Sequence, residues 1–315
     1  MKKDKILITG GAGFAGSHVI NLLLEEGHEE ITVIDKYEPK IKKDKVKFIM
    51  GDFADEKLIV PLLKQHNIMF HFAAMIGVDN CRNNPDLVRK VNYSDTTRLI
   101  DLAVENGIER MLFTSSSEVY GNSKEIPYRE DGPLEPVSAY GEAKVDVEKY
   151  LREVSQNSDM SIGIVRLFNV YGPRQKKDFV VSIFINAALD NKPLLVFGNG
   201  DQTRTFTYVK DVARGIYALY KYRNTPYEIV NLGSNQEKSI KDLAQLVLKL
   251  LPESDSQIEF QDYGHSGVRT SGYEIDRRVP SVEKAKQLLG FEAKTTLEDG
   301  LDATIRYIKE ERSND

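Results

Sequence analysis

The chain has one cysteine, five histidines and no long apolar run in 315 residues. Cys81 alone excludes an intrachain disulfide, and scattered histidines without Cys or His pairing give no zinc-ligand spacing. A reducing cytoplasm is the expected compartment. The charged start MKKDKILITGG passes straight into a strand-like segment, with no cleavage-site pattern and no apolar run of about twenty residues. No targeting signal or membrane span is expected. A formal net charge of -5 leaves no broad basic face, so nucleic acid is a poor candidate partner. Internal repeats, heptad seams and low-complexity tracts are also missing. What remains, at 29% charged and 41% hydrophobic residues, is an ordinary globular chain long enough for a large domain with a smaller lobe.

The stretch ILITGGAGFAGS organises the rest: a short apolar strand runs into glycines and then into a helix. Gly10, Gly13 and Gly16 are spaced so that the first makes a tight turn, the second admits a pyrophosphate and the third lets helix and strand pack closely. The amides of that helix's first turn, which begins at Ala15, then face an anion. A glycine pattern alone is weak, but here KILIT precedes it, HVINLLLEEG follows, and the strand ITVID comes next. Asp35 ends that second strand about twenty residues beyond the last glycine, where a carboxylate suits the free ribose hydroxyls of NAD and repels the extra phosphate of NADP. Lys36 beside it works against that selectivity.

Strand-like and helix-like stretches then alternate through VKFIM, GDFADEKLIVPLLKQ, IMFHFAA, a helix over residues 85–106 closed by Gly107, RMLFTSS, a helix beginning near Ser138, and SIGIVRLFNV. This alternation predicts an α/β fold of Rossmann type, a doubly wound parallel sheet with helices on both faces. Residues 1–171 form the expected dinucleotide domain. Beyond Tyr171 the elements shorten and are broken by Gly, Pro and polar loops, which predicts a smaller α/β substrate lobe over 172–315 with segments crossing between the two.

Tyr140 and Lys144, four residues apart on a helix, project from one face and place an ammonium beside a phenol. A phenol titrates near ~10 in water; a neighbouring lysine and a cationic nicotinamide ring would favour the phenolate, a usable base near neutrality. Such pairs occur on many solvated helices, and the glycine loop is what gives this one meaning. Ser115, Ser116 and Ser117 end a strand at the carboxyl edge, where ligands bind in such sheets, and one hydroxyl aimed at a substrate would complete the set. His71 reads as a hydrogen-bonded core residue and Cys81 as a small packed side chain with no base beside it.

The motifs TGGAGFAGSH, GDFAD, FHFAA, TSSSEVYG, YGEAK, RLFNVYGPR, FGNGDQTRTFTYVKDVA and LLGFEAKTTLEDGL follow one another in the order of a known family. Over nearly its whole length the chain resembles the extended short-chain dehydrogenase/reductases that act on nucleotide-diphosphate sugars, the NAD-dependent epimerase/dehydratase group. The resemblance implies that Tyr140 is the acid/base, that Lys144 binds the nicotinamide ribose and tunes Tyr140, and that Ser116 hydrogen-bonds the hydroxyl being oxidised. It further implies cofactor contacts from Phe14, Lys36, Asp52, Phe53, Ala73, Ala74, Asn92 and Phe168. Substrate contacts are implied for Ser117, Asn169, Arg204 and Arg278, the arginines as a clamp on pyrophosphate or nucleotide.

Glu118 departs from the many 4-epimerases that carry a small or uncharged residue there, and is similar to dehydratases and UDP-glucuronate decarboxylases. Ser117 stands where dTDP-glucose dehydratases place Asp, and YGEAK is closer to epimerase helices. The leading expectation is an NDP-sugar epimerase, a 4-epimerase, passing through a keto-sugar. Dehydration or decarboxylation with Glu118 is the alternative, and an NAD-sensing binding protein a third. A homodimer through the helix over 85–106 and the Tyr140 helix is implied by the family. The nucleotide and sugar are expected to be chosen by the loops over 174–180 and 263–278.

Overall fold

The computed structural model describes residues 4–39, 45–262, 275 and 277–314. Strands β1 (Ile6–Thr9), β2 (Ile31–Asp35), β3 (Lys47–Met50), β4 (Ile68–His71), β5 (Arg110–Ser116) and β6 (Ser161–Leu167) alternate with helices α1 (Phe14–Glu25), α2 (Glu56–Leu63), α3 (Val78–Asn83), α4 (Pro85–Arg89), α5 (Asp95–Glu105) and α6 (Ala139–Asn157). Beyond them come β7 (Val170–Tyr171), α7 (Val180–Leu189), β8 (Leu194–Phe197), β9 (Thr203–Thr205), β10 (Thr207–Tyr208), α8 (Val209–Lys221) and β11 (Tyr227–Leu232). The main sheet has seven strands in the order β11-β6-β5-β4-β1-β2-β3, all parallel. The order reverses beside β1, so the crevice at its carboxyl end is the switch point where ligands bind.

The period of two along each strand divides the core. Ile6, Ile8 and Phe70 face α1 and α8, while Leu7, Met69, Met111 and Phe113 face α2, α5 and α6. Full burial of each such side chain is worth roughly 1.5–3 kcal/mol. Because α8 and β11 rejoin this sheet, the chain crosses back after Tyr171. The second lobe gathers α7, β8 and β9 with β12 (Glu237–Ser239), α9 (Ile240–Leu250), β13 (Ile258–Gln261), β14 (Arg277–Arg278) and α11 (Leu297–Asn314), while α10 (Glu283–Leu289) packs Ala285 into the core of the main sheet. The lobe's own core packs Phe184, Ile185, Leu194, Leu243, Val247, Leu301 and Ile305. Among the described residues no helix is long and apolar enough to cross a membrane.

One expected element differs. The single helix over 85–106 is α4 and α5 joined by a π-helical turn, Lys90–Ser94. The wider turn carries the buried Asn92, whose side chain holds both backbone groups of Met75: Nδ2 donates to its carbonyl at 2.9 Å and Oδ1 accepts from its amide at 2.8 Å. Such insertions often sit at functional sites, and Met75 lies on the wall of the cavity described next.

Candidate active site

A cavity of about 1740 Å³ runs from the glycine turn to the second lobe. At its base Gly10 has φ +73°, and a Cβ there would meet the amide nitrogen of Ala73 at 2.3 Å, so only glycine admits β4's exit so close to β1's. A Cβ at Gly16 would meet the Gly10 carbonyl at 2.7 Å. The amino end of α1, which faces the cavity, has Gly13 at its cap and no capping side chain. Its first amides are left to an anion.

Asp35 stands at the edge of β2 with Oδ2 accepting from Ala12 N at 2.9 Å and Oδ1 from Tyr37 N at 3.1 Å. Burial raises its carboxyl above the ordinary range and these amides oppose the shift. Lys36 is engaged by Asp52, Nζ to Oδ2 at 2.7 Å. That pairing reduces the lysine's pull on an added phosphate, so the edge keeps the character suited to free ribose hydroxyls. Phe14, Phe53, Ala73 and Ala74 line the same half of the cavity. These features fit NAD: a turn only glycine can make, uncapped helix amides and a fixed carboxylate.

Three of the expected cofactor contacts do not line the cavity. Phe168 lies just past the end of β6 and is fully buried among Tyr120 and Tyr128, while its neighbours Leu167 and Asn169 line the wall. Asn92 spends its amide on Met75. Asp52 is not on the wall; its carboxylate holds Lys36 and the amide of Ala54.

The chemistry gathers where β5 ends against α6. Ser116, Ser117, Glu118, Tyr140 and Lys144 line one region of the cavity. Ser138 caps α6 by accepting from Gly141 N at 3.0 Å and also donates to Glu118 Oε2 at 2.8 Å, fixing the carboxylate beside the helix that carries Tyr140. Lys144 is 2% exposed; its Nζ donates to Thr114 O at 2.8 Å and lies 5.6 Å from the Tyr140 ring centre. Burial pushes that ammonium down to about 7, against the pull of Glu148. Tyr140 departs from expectation. Burial, then Glu118 and Cys81, push its phenol up, and a hydrogen bond with Ser116 opposes them. Burial and the neighbouring Glu118 and Cys81 therefore hold a phenol, and lowering it takes a cation beside it.

At the second lobe, Arg204 and Arg278 are in-register neighbours on β9 and β14. Both line the cavity, and Arg278 Nε is buried without a hydrogen-bond partner among the described residues. Two guanidinium groups side by side suit a bridging dianion. Asn169, at φ +35°, donates to Thr205 O at 3.2 Å and also lines the wall. Of the loops expected to choose the substrate, Arg174 and Gln175 line the cavity, while residues 263–274 and 276 lie outside the described residues.

His71 is buried between Thr9 Oγ1 at 2.6 Å and Thr96 Oγ1 at 3.2 Å, and burial drives it down to about 3. Cys81 lines the cavity, its thiol pushed up to about 11 by burial and Glu118. Sequence reasoning did not anticipate Ser138 as the anchor of Glu118, nor the buried Glu148 and Arg166 behind Lys144. Glu148 had a signal, the four-residue spacing that continues from Tyr140 and Lys144.

The description "NAD dependent epimerase/dehydratase family" belongs to a family model that matches residues 6–233. UDP-glucuronic acid decarboxylase 1 of Xenopus tropicalis is 35% identical over 98% of this chain and 73% of its own length. The structure of a UDP-glucose 4-epimerase from Thermotoga maritima with UDP-glucose superposes with a TM-score of 0.89, at 28% identity over 98% of this chain and 99% of that one. MoeE5 in complex with UDP-glucuronic acid and NAD gives 0.88, also at 28% identity, over 98% and 99%. The glycine turn, the Ser116–Tyr140–Lys144 region and likeness along almost the entire length thus agree: the chain belongs to the NAD-dependent epimerase/dehydratase family of nucleotide-sugar enzymes.

Proposed function

We propose that the protein oxidises an NDP-uronic acid to its keto-sugar, releases carbon dioxide and reduces the ketone again, a decarboxylase reaction with no net redox change. The observation that carries this is Glu118, held by Ser138 on the cavity wall beside Tyr140. NAD supplies the reversible hydride acceptor. Tyr140 takes the proton of the sugar hydroxyl, Ser116 orients that hydroxyl, and Lys144 stabilises the phenolate. Arg204 and Arg278 hold the diphosphate, and Asn169 fixes the sugar end.

A ketone beside the carbon bearing the carboxylate accepts the electron pair left when the carbon–carbon bond breaks. The resulting enolate oxygen lies by Tyr140 and Ser116, and that carbon takes a proton before the ketone is reduced. Glu118 stands where it repels a departing carboxylate and orders the water or acid that returns the proton. Dehydration would need a second acid for the leaving hydroxyl, and the buried Ser117 offers none. The relative named UDP-glucuronic acid decarboxylase 1 supports the same reading.

Epimerisation is the second reading, favoured by the YGEAK helix; it asks no charge or proton transfer of Glu118, only help in positioning the sugar. Replacing Glu118 by Gln therefore separates them. Decarboxylation predicts that product formation from an NDP-uronic acid falls at least about a hundredfold with NAD affinity kept. An undiminished rate would return the assignment to epimerisation. We also infer a homodimer through α4, α5 and α6, which light scattering after size exclusion tests directly; a monomer would dismiss it.

A further inference from the structure

One face of α6 carries a third residue in line with Tyr140 and Lys144. Glu148 lies one turn beyond the lysine and is 3% exposed. It sits where β5 and β6 run side by side, with Ser115 and Arg166 as in-register neighbours. Arg166 grips both carboxylate oxygens, Nη2 to Oε2 at 2.7 Å and Nε to Oε1 at 3.1 Å. Ser115 Oγ donates to Oε1 at 2.5 Å. Arg166 is fixed in turn: its Nη1 donates to Tyr120 Oη at 2.7 Å and to the Glu130 carbonyl at 3.1 Å, and Tyr120 donates to Asn231 Oδ1 at 2.7 Å.

We propose that Glu148 is a positioning residue for Lys144: its carboxylate, clamped by Arg166 and Ser115, keeps the buried ammonium charged and in place beneath Tyr140. A buried ion pair is a poor device for stability, since apolar side chains of the same shape fill a core as well or better. This pair has a second cation beside it. Lys144 and Arg166 are both buried, and the Glu148 carboxylate, paired with Arg166 one helical turn from Lys144, offsets part of the cost of burying two cations.

The groups facing this centre come from several elements. Besides Tyr140 on α6, β5 contributes Ser115 and the Thr114 carbonyl, β6 contributes Arg166, and residues 120 and 130 bring Tyr120 and Glu130. From β4 comes His71, which burial keeps neutral, and from β11 Tyr227, whose phenol is raised by burial and then by Glu148. Burial works against the charged lysine, and Glu148 is the charge that favours it. Arg166 and Ser115, donating to the carboxylate, fix it in place for that task.

The inference rests on the reading of Lys144 as the residue that supports the phenol and the nicotinamide ribose. Glu148→Gln keeps the shape and removes the charge. In the cofactor-free protein, side-chain NMR of labelled lysine, with Lys144 assigned through Lys144→Arg, should show its titration midpoint fall by about one pH unit, a tenfold change. Calorimetry with NAD should show affinity reduced about tenfold near pH 8.5 and restored near pH 6, where the lysine regains its proton. A folded Glu148→Gln protein with the parent's midpoint, or with affinity lost equally at both pH values, overturns the proposal. Should that variant fail to fold, Glu148→Gln with Arg166→Met removes the stranded guanidinium, and Ser115→Ala leaves both charges but loosens the clamp. Either must move the midpoint downward, Ser115→Ala by less, and no movement in both overturns it. The NMR midpoint requires no turnover, so a shifted lysine in a protein that converts no NDP-sugar would refute the proposed function and leave this inference standing.

Discussion

Replacing Gly10 by Ala tests the geometry on which the cofactor end of the cavity depends. At φ +73° an alanine is held in the left-handed region, which costs about 1–3 kcal/mol. Its methyl would also lie 2.3 Å from the nitrogen and 2.6 Å from the Cα of Ala73 and 2.7 Å from the Phe72 carbonyl carbon, all backbone atoms, so β4's exit must move. Overpacking of this kind adds about 1–3 kcal/mol. The sum, roughly 2–6 kcal/mol, is a large part of a typical stability of about 5–15 kcal/mol. Gly27 provides the control: φ is +83° but nothing lies within 4 Å of a Cβ, so Gly27→Ala carries the backbone strain alone. Thermal unfolding should therefore show Gly10→Ala melting well below Gly27→Ala, with roughly 2–4 °C for each additional kcal/mol. NAD affinity should fall only in the first. Equal melting temperatures would refute the claim that contact with Ala73, rather than conformation, makes glycine necessary.

Tyr140→Phe removes the proposed base and should lower kcat by roughly 10²–10⁴ while calorimetry shows NAD binding nearly unchanged. Asp35→Ala should narrow the preference for NAD over NADP, read from the two dissociation constants; an unchanged ratio would place selectivity elsewhere. Ser138→Ala removes both the α6 cap and the anchor of Glu118, and should cost about 1 kcal/mol in denaturant unfolding besides slowing turnover. His71 gives a pH dependence. Its folded value near 3 lies below the unfolded 6.5, so the unfolded chain binds the proton first and stability declines as pH falls from 6.5 toward 3. The slope from this one group is at most about 1.4 kcal/mol per pH unit, and His71→Gln should flatten it; an unaltered acid limb would contradict the burial argument.

What could be read from the sequence was local. The Gly10–Gly13–Gly16 turn, Asp35 at the end of β2, and Tyr140 with Lys144 on one helical face are each set by spacing within a single element or between adjacent ones. The π-helical turn at Lys90–Ser94 was not legible, because one wider turn hardly disturbs the apolar pattern of the flanking helices, and the reason for it, the grip of Asn92 on Met75, spans 17 residues and a loop. Phe168 lies between β6 and β7, where the chain turns through the left-handed Asn169, and a spacing pattern does not say which way a side chain faces there. The Ser115–Glu148–Arg166 cluster depends on the register of β5 against β6 and on α6 lying across both. Only the fold brings those three side chains together. Arg204 and Arg278 show the same limit: they are far apart in the chain, and pairing of β14 with β9 makes them neighbours.

The measurement that bears most directly on the account is mass spectrometry of the product after the protein and NAD are incubated with UDP-, GDP-, dTDP- and CDP-linked sugars, uronic acids included. The account predicts a product from an NDP-uronic acid lighter by carbon dioxide, formed by the parent enzyme and absent with Tyr140→Phe. A product of unchanged mass with a new sugar NMR signature would contradict it and make the protein an epimerase that uses Glu118 only to position its substrate.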